Sequence, residues 1–233
     1  MTSCPNCGQQ GDGKYCSECG HAYIVKRITL PHVLHEVAHT FTHFDKGFLY
    51  TLKQLATKPG TMQKRYLKGE RSKHQKPFSM FFICTTIAGL AFYWISLHSQ
   101  VTNLNEAREH FFRHYFVILQ AALLPYYTLV IWLIFDHKNF NYAETLVLFV
   151  YTLSFAFLLI IPLNLIHVFA PFRIRTDYIE LILMAGYTTW TNLNFFDKQP
   201  AWLVIIKNAA CLLICYYTST LLADQIVYWM SNK

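Results

Sequence analysis

Residues 143–170 read AETLVLFVYTLSFAFLLIIPLNLIHVFA. Between Glu144 and His167 the run holds no charged side chain. About 20 apolar residues, rising 1.5 Å each, cross the roughly 30 Å hydrocarbon core of a bilayer. This run is longer than that, and it sets the fold class: an all-α polytopic membrane protein. Pro162 lies inside the run. Proline is tolerated in a membrane helix where neighbours or waters satisfy the freed carbonyl, so it is expected to mark a kink.

Four further runs surround it. Residues 78–97 begin after Pro77, 115–135 contain Pro125, and 178–196 and 201–230 follow the central run. The chain of 233 residues is 54% hydrophobic and only 14% charged, against about 25% charged in a soluble domain. The shortfall lies almost wholly after Lys76. Residues 178–196 are the weakest run, carrying Glu180, Thr188, Thr189, Thr191, Asn192 and Asn194. Polar groups at a span centre are costly, yet the run is expected to cross. About five spans are therefore expected over residues 78–230. The first residues are polar and Cys-rich, with no apolar stretch before a cleavage site, so the first span is expected to insert the chain.

The net charge of +7 is unevenly placed. Lys14, Lys26, Arg27, Lys46, Lys53, Lys58, Lys64, Arg65, Lys68, Arg71, Lys73 and Lys76 precede the first span, 12 of the 20 Lys and Arg. With that side inside, Lys138 and Lys198 make 14, while Arg108, Arg113, Arg173, Arg175 and Lys233 make 5 outside. Lys207 lies within a span. Positive charge is retained in the cytoplasm, which implies a cytoplasmic N-terminus and a multi-pass protein of the bacterial inner membrane. Nucleic acid is a disfavoured partner, because the basic residues flank a span and the linker aromatics lie on an apolar stripe.

Residues 1–24 form a Cys-rich module. Cys4-Pro5-Asn6-Cys7-Gly8 and Cys16-Ser17-Glu18-Cys19-Gly20 are matching knuckles. Each C-x-x-C turn points two thiolates at one metal, and two pairs close a tetrahedral structural zinc site. Two disulfides are the competing reading, and a cytoplasmic location opposes them. The module is too small for a core of its own, so Zn2+ would supply its folding free energy. A closed site leaves no position for substrate, so its expected role is docking. Cys84, Cys211 and Cys215 lie in spans and read as packing residues.

Residues 25–77 form a basic amphipathic linker. Thr29 and Pro31 suit a helix start. Leu30, Val33, Leu34, Val37, Phe41, Phe44 and Phe48 then share one face, continued by Leu49, Leu52 and Leu55 until Lys58-Pro59-Gly60. His32, His35, His39 and His43 lie opposite. This predicts a helix lying in the interface, apolar face down. His35-Glu36-Val37-Ala38-His39 also matches H-E-x-x-H, in which two His bind zinc and Glu is the general base. His43 cannot be the third ligand: eight residues from His35 is about 12 Å along the axis. A solvated His face near headgroups is favoured over a second metal site at His35 and His39 with Glu36 as catalyst.

At Asp45-Lys46-Gly47-Phe48-Leu49-Tyr50-Thr51-Leu52-Lys53, Pro59-Gly60, Tyr66-Leu67, Gly69, Arg71 and Pro77-Phe78, the chain resembles a bacterial family, domain-of-unknown-function family 3667. The resemblance covers roughly residues 1–95 and the remainder in outline. It implies an N-terminal zinc ribbon joined to a few spans, and no activity. Tyr142-Ala143-Glu144 and Pro162 are similar, more weakly, to Yip-type five-span membrane proteins, which would imply membrane organisation or trafficking.

No phosphate loop or nucleophile motif appears, and no chain of carboxylates crosses the bilayer. The expected function is non-enzymatic: a scaffold, or the handling of a lipid or small solute. The alternative is a membrane-embedded zinc metalloenzyme using His35, Glu36 and His39. Expected partners are the lipid bilayer, a cytoplasmic protein docked on the ribbon, and a second copy in a homo-oligomer. Lys207 and Glu144 fall in the same leaflet, where they either pair or snorkel separately.

Overall fold

The computed structural model describes residues 2–25, 27–39, 47–98, 116–135, 139–169 and 176–231. Strands β1 (Thr2–Ser3) and β2 (Gln10–Gly11) pair antiparallel, Thr2 opposite Gly11. The helices are α1 (Leu30–His39), α2 (Phe48–Thr57), α3 (Pro59–Leu67), α4 (Pro77–His98), α5 (Phe116–Phe135), α6 (Tyr142–Phe169), α7 (Thr176–Phe195) and α8 (Ala201–Ser231).

Four of these helices are long and apolar enough to cross a membrane: α4, α5, α6 and α8, over Pro77–Ile95, Ile118–Phe135, Tyr142–Ile166 and Ala201–Ile226. Helix α7 has the same length as α5, 20 residues, but not its apolarity. Four of the five expected spans thus fall on helices long and apolar enough to cross. Helices α5 and α6 run on through Pro125 and Pro162.

Helix α6 is the centre of the bundle, packed by α2, α3, α4, α5 and α7. Its start is a reciprocal capping box. Glu144 N donates to Asn141 Oδ1 at 2.8 Å, and Asn141 N donates to Glu144 Oε2 at 3.0 Å, which satisfies two end donors of the helix. Asn-x-x-Glu before an apolar run is the sequence signature of that box. Along the spans, Thr85, Thr128, Thr152 and Ser154 donate to the carbonyl four residues back, so apolar surroundings meet no orphan hydroxyl. Facing outward are Leu90, Leu97, Ile118, Ile182, Leu213 and Trp202, each more than half exposed. Apolar surface on that scale needs a cover.

Helices α2 and α3 correct one expectation. The apolar stripe predicted a helix flat on the interface through Leu55. The chain does break at the expected place, at Lys58 (φ −144°, ψ 57°), and Pro59 restarts it at a first-turn position where its missing N–H costs nothing, but the segment does not lie flat. The resulting helix pair is wedged into the end of the bundle. Thr51, Leu55 and Gln63 are fully buried and Met62 is 1% exposed. Gln63 Nε2 reaches Leu148 O at 3.3 Å and Thr152 Oγ1 at 3.1 Å, over a turn inside α6. Gly60 lies so close to α7 that a Cβ there would meet Phe195 N at 2.5 Å and the Thr191 carbonyl. Only glycine permits that approach. The interfacial expectation keeps exposed Leu30 and Leu34 in α1 as its support, while Phe41 and Phe44 lie outside the described residues.

Candidate functional site

The two knuckles fold identically. Gly8 N donates to Cys4 O and Gly20 N to Cys16 O, both at 2.9 Å. Cys4 N donates to Gln9 O at 2.8 Å and Cys16 N to His21 O at 2.7 Å. Gly8 and Gly20 take φ of 82° and 69°, the left-handed conformation that lets each turn close. The four Sγ atoms lie within 4.8 Å of one another. Cys4–Cys19 is 3.6 Å and Cys7–Cys16 is 3.5 Å. A metal–sulfur bond of about 2.3 Å gives a tetrahedral edge of about 3.8 Å, so the cluster fits one ion. All four cysteines are free thiols. Backbone N–H groups, that of Cys19 first, hold the Cys16 thiol down at about 6. The Asn6 side chain, then the His21 N–H, lowers Cys19. Cys7 is pushed up to about 12: the Gln9 N–H acts to lower it but is outweighed by desolvation and by the Cys16, Cys19 and Cys4 thiols. Four thiols crowding one point cannot all ionise without a cation between them. Tyr23 closes the module against Cys4 and Cys16.

The module is tied to the bundle end. Ser72 Oγ donates to Asn6 Oδ1 at 2.5 Å. Arg27 grips Glu144 through two hydrogen bonds, Nε to Oε1 at 2.8 Å and Nη2 to Oε2 at 2.6 Å, and also donates to Asn139 O. Asn141 Nδ2 donates to Ile28 O at 2.9 Å. Glu144 therefore does not pair with Lys207. Lys207 Nζ instead reaches Phe135 O at 2.9 Å and Gln199 Oε1 at 3.0 Å, the snorkelling outcome. Arg27 wins the carboxylate because its fork matches both oxygens.

Helix α1 carries His32, His35, Glu36 and His39. His32 and His35 are exposed. The side chains of Glu36 and His39, and residue His43, lie outside the described residues. Among the described residues, the four cysteines are the group placed to hold a metal.

A second feature escaped the sequence. A cavity of about 510 Å³ opens among α5, α6, α7 and α8. Its wall is mostly apolar, with Thr152, Glu180, Thr188, Asn192 and Asn208 among the polar exceptions. Glu180, Thr188 and Asn192 are among the residues that made the fourth run weak, and the structure gives each of them a hydrogen-bond partner. Asn192 Nδ2 donates to Asn208 Oδ1 at 2.8 Å, and Asn208 Nδ2 donates to Thr188 and Thr189 at 3.1 and 2.9 Å. Asn164 Nδ2 donates to Glu180 Oε1 at 2.9 Å. Helix α7 runs antiparallel to α6, with Glu180 at the level of Asn164 and Phe195 in one apolar cluster with Leu148.

The sequence profile of the family described as "Protein of unknown function (DUF3667)" matches residues 45–89. That stretch includes α2, α3 and the start of α4, the wedge and its anchor. No curated protein and no solved structure matches the chain.

Proposed function

We propose that this protein is a non-enzymatic, five-span component of the bacterial inner membrane that holds a lipid-like amphiphile between its helices, with a structural zinc ribbon as a cytoplasmic docking module. The cavity among α5, α6, α7 and α8 carries the reading. Its volume of about 510 Å³ falls within the roughly 300–1,000 Å³ of sites for small ligands. An apolar wall with a few hydrogen-bonding groups suits an acyl chain with a polar end.

The fifth span is α7. Its length suffices, and its amides and hydroxyls find partners on α6 and α8 rather than facing lipid. Its antiparallel run beside α6 agrees with a cytoplasmic N-terminus and an outer C-terminus, as does the 14-to-5 distribution of Lys and Arg. Zinc is the metal that four thiolates in a tetrahedron suit best. The ribbon's outer face, away from Ser72, remains for a cytoplasmic partner.

A fluorescent fatty-acyl probe titrated into the detergent-solubilised full chain tests the reading. Saturable binding is expected, lost on Cys215→Phe or Ser219→Phe, each of which puts a ring into the cavity. Binding unchanged in both folded variants would remove the cavity from the account.

A further inference from the structure

A second, polar cavity of about 210 Å³ lies where the ribbon meets the wedge, lined by Asn6, Tyr50, Arg65, Glu70, Lys73 and His74. It is separate from the membrane cavity in place and chemistry, and below the size of a drug-sized ligand site. Nearly all of its lining is polar.

The charges around it do not cancel. Arg65 Nε donates to Glu70 Oε2 at 2.7 Å, so that carboxylate is matched. Lys73 is exposed and has no ion-pair partner among the described residues. His74 is 6% exposed, its ring tilted by 48° against Tyr50 with ring centroids 5.2 Å apart, and its Nδ1 has no hydrogen-bond partner. Burial first, then the Arg65 charge, holds His74 down at about 4, so it is neutral at pH 7. Two cations thus face one carboxylate. The donors are a guanidinium fork, an ammonium, the Tyr50 hydroxyl and the Asn6 amide. Glu70 takes one edge of Arg65 and orients the rest of the fork. A tetrahedral oxyanion with several acceptor oxygens uses such a donor set. A metal cation meets net positive charge instead. The cavity is also lined by Lys73 and His74, just before Pro77, where α4, a helix long and apolar enough to cross a membrane, begins.

We propose that the cavity enclosed by Asn6, Tyr50, Arg65, Lys73 and His74 binds a phosphate group, either of an anionic phospholipid headgroup or of free phosphate. Occupancy bridges the ribbon, through Asn6, to the wedge, through Arg65, and to the segment before α4, through Lys73. The bound group therefore strengthens the seat of the metal module on the membrane domain.

The test uses the full chain in maltoside micelles with two arms. Inorganic phosphate is titrated by calorimetry in one, and phosphatidylglycerol retained after detergent washing is counted by native mass spectrometry in the other. Saturable binding in either arm, weakened about tenfold by Lys73→Gln, is expected from loss of one charge-assisted contact. Lys73→Glu should abolish it. Binding only in the calorimetric arm identifies free phosphate as the ligand, and retention of the lipid identifies the headgroup. Because Lys73 is exposed and has no ion-pair partner among the described residues, both variants should fold, and unchanged helical circular dichroism checks this. No saturable binding in either arm, equal binding by Lys73→Glu, or equal competition by acetate would overturn the proposal. None of these results bears on the membrane cavity.

Discussion

Gly60 provides the sharpest test of the wedge. An alanine Cβ there would stand 2.5 Å from Phe195 N and 2.8 Å from Asn194 C, with the Thr191 carbonyl nearer still. Ordinary contact is about 3.5–4.0 Å, so α3 and α7 must part by about 1 Å. Every obstructing atom is backbone, and no rotamer change can relieve the clash. Overpacking of this kind costs about 1–3 kcal/mol. Alanine's helix propensity offsets at most about 1 kcal/mol, and less at the second position of a helix. The net loss is about 1–2 kcal/mol, a fall in Tm of roughly 2–8 °C for a chain of this size. Gly186, within α7, is the control: a Cβ there meets nothing within 4 Å. Gly186→Ala should stabilise by up to about 1 kcal/mol. Thermal unfolding of the full chain, followed by fluorescence-detected size exclusion, reads both. The same sign for the two alanines, or a stabilised Gly60→Ala, would show that α3 does not dock on α7.

Other outcomes follow from the same geometry. Wild-type protein should carry one zinc per chain by elemental analysis; Cys4→Ser with Cys16→Ser should lose it while helical circular dichroism persists, because the spans hold their own hydrogen bonds. His74 is buried neutral with a value near 4 against about 6.5 when exposed, so the unfolded chain binds the proton first and stability falls as pH drops from about 6.5 to 4, by up to roughly 1.4 kcal/mol per unit; His74→Phe should flatten the profile in that window, and an unchanged slope would contradict the burial argument. Asn141→Ala removes one half of the α6 capping box and should cost about 1 kcal/mol in thermal unfolding. A reporter fused after Lys233 should read periplasmic; a cytoplasmic reading would mean that α7 does not cross.

The spans and the cysteine site were legible for a simple reason. Apolar run length and C-x-x-C spacing are local properties, and each has one main physical use. The wedge was not legible. Its residues, PGTMQKRYL over Pro59–Leu67, look like a basic surface segment. Gln63 is buried only because Leu148 O and Thr152 Oγ1 await its amide, and nothing near Gln63 in the sequence signals those partners. The polar groups of the weak fourth run were unreadable for the same reason, since Asn192 finds Asn208 across two helices. Glu144 was half legible. The Asn141-x-x-Glu144 box could have been read from spacing alone, and it would have shown Glu144 to be occupied before Lys207 was considered. Arg27, which completes its coordination from 117 positions away, could not.

The amphiphile between the helices can be looked for directly. An experimental structure of the full chain in lipid nanodiscs, with metal analysis of the same sample, tests it most directly. Acyl-chain density is expected in the cavity among α5, α6, α7 and α8, its polar end near Asn208 or Glu180, with one zinc per chain at the four cysteines. A bundle whose own side chains close that space, with no density in it, would contradict the account.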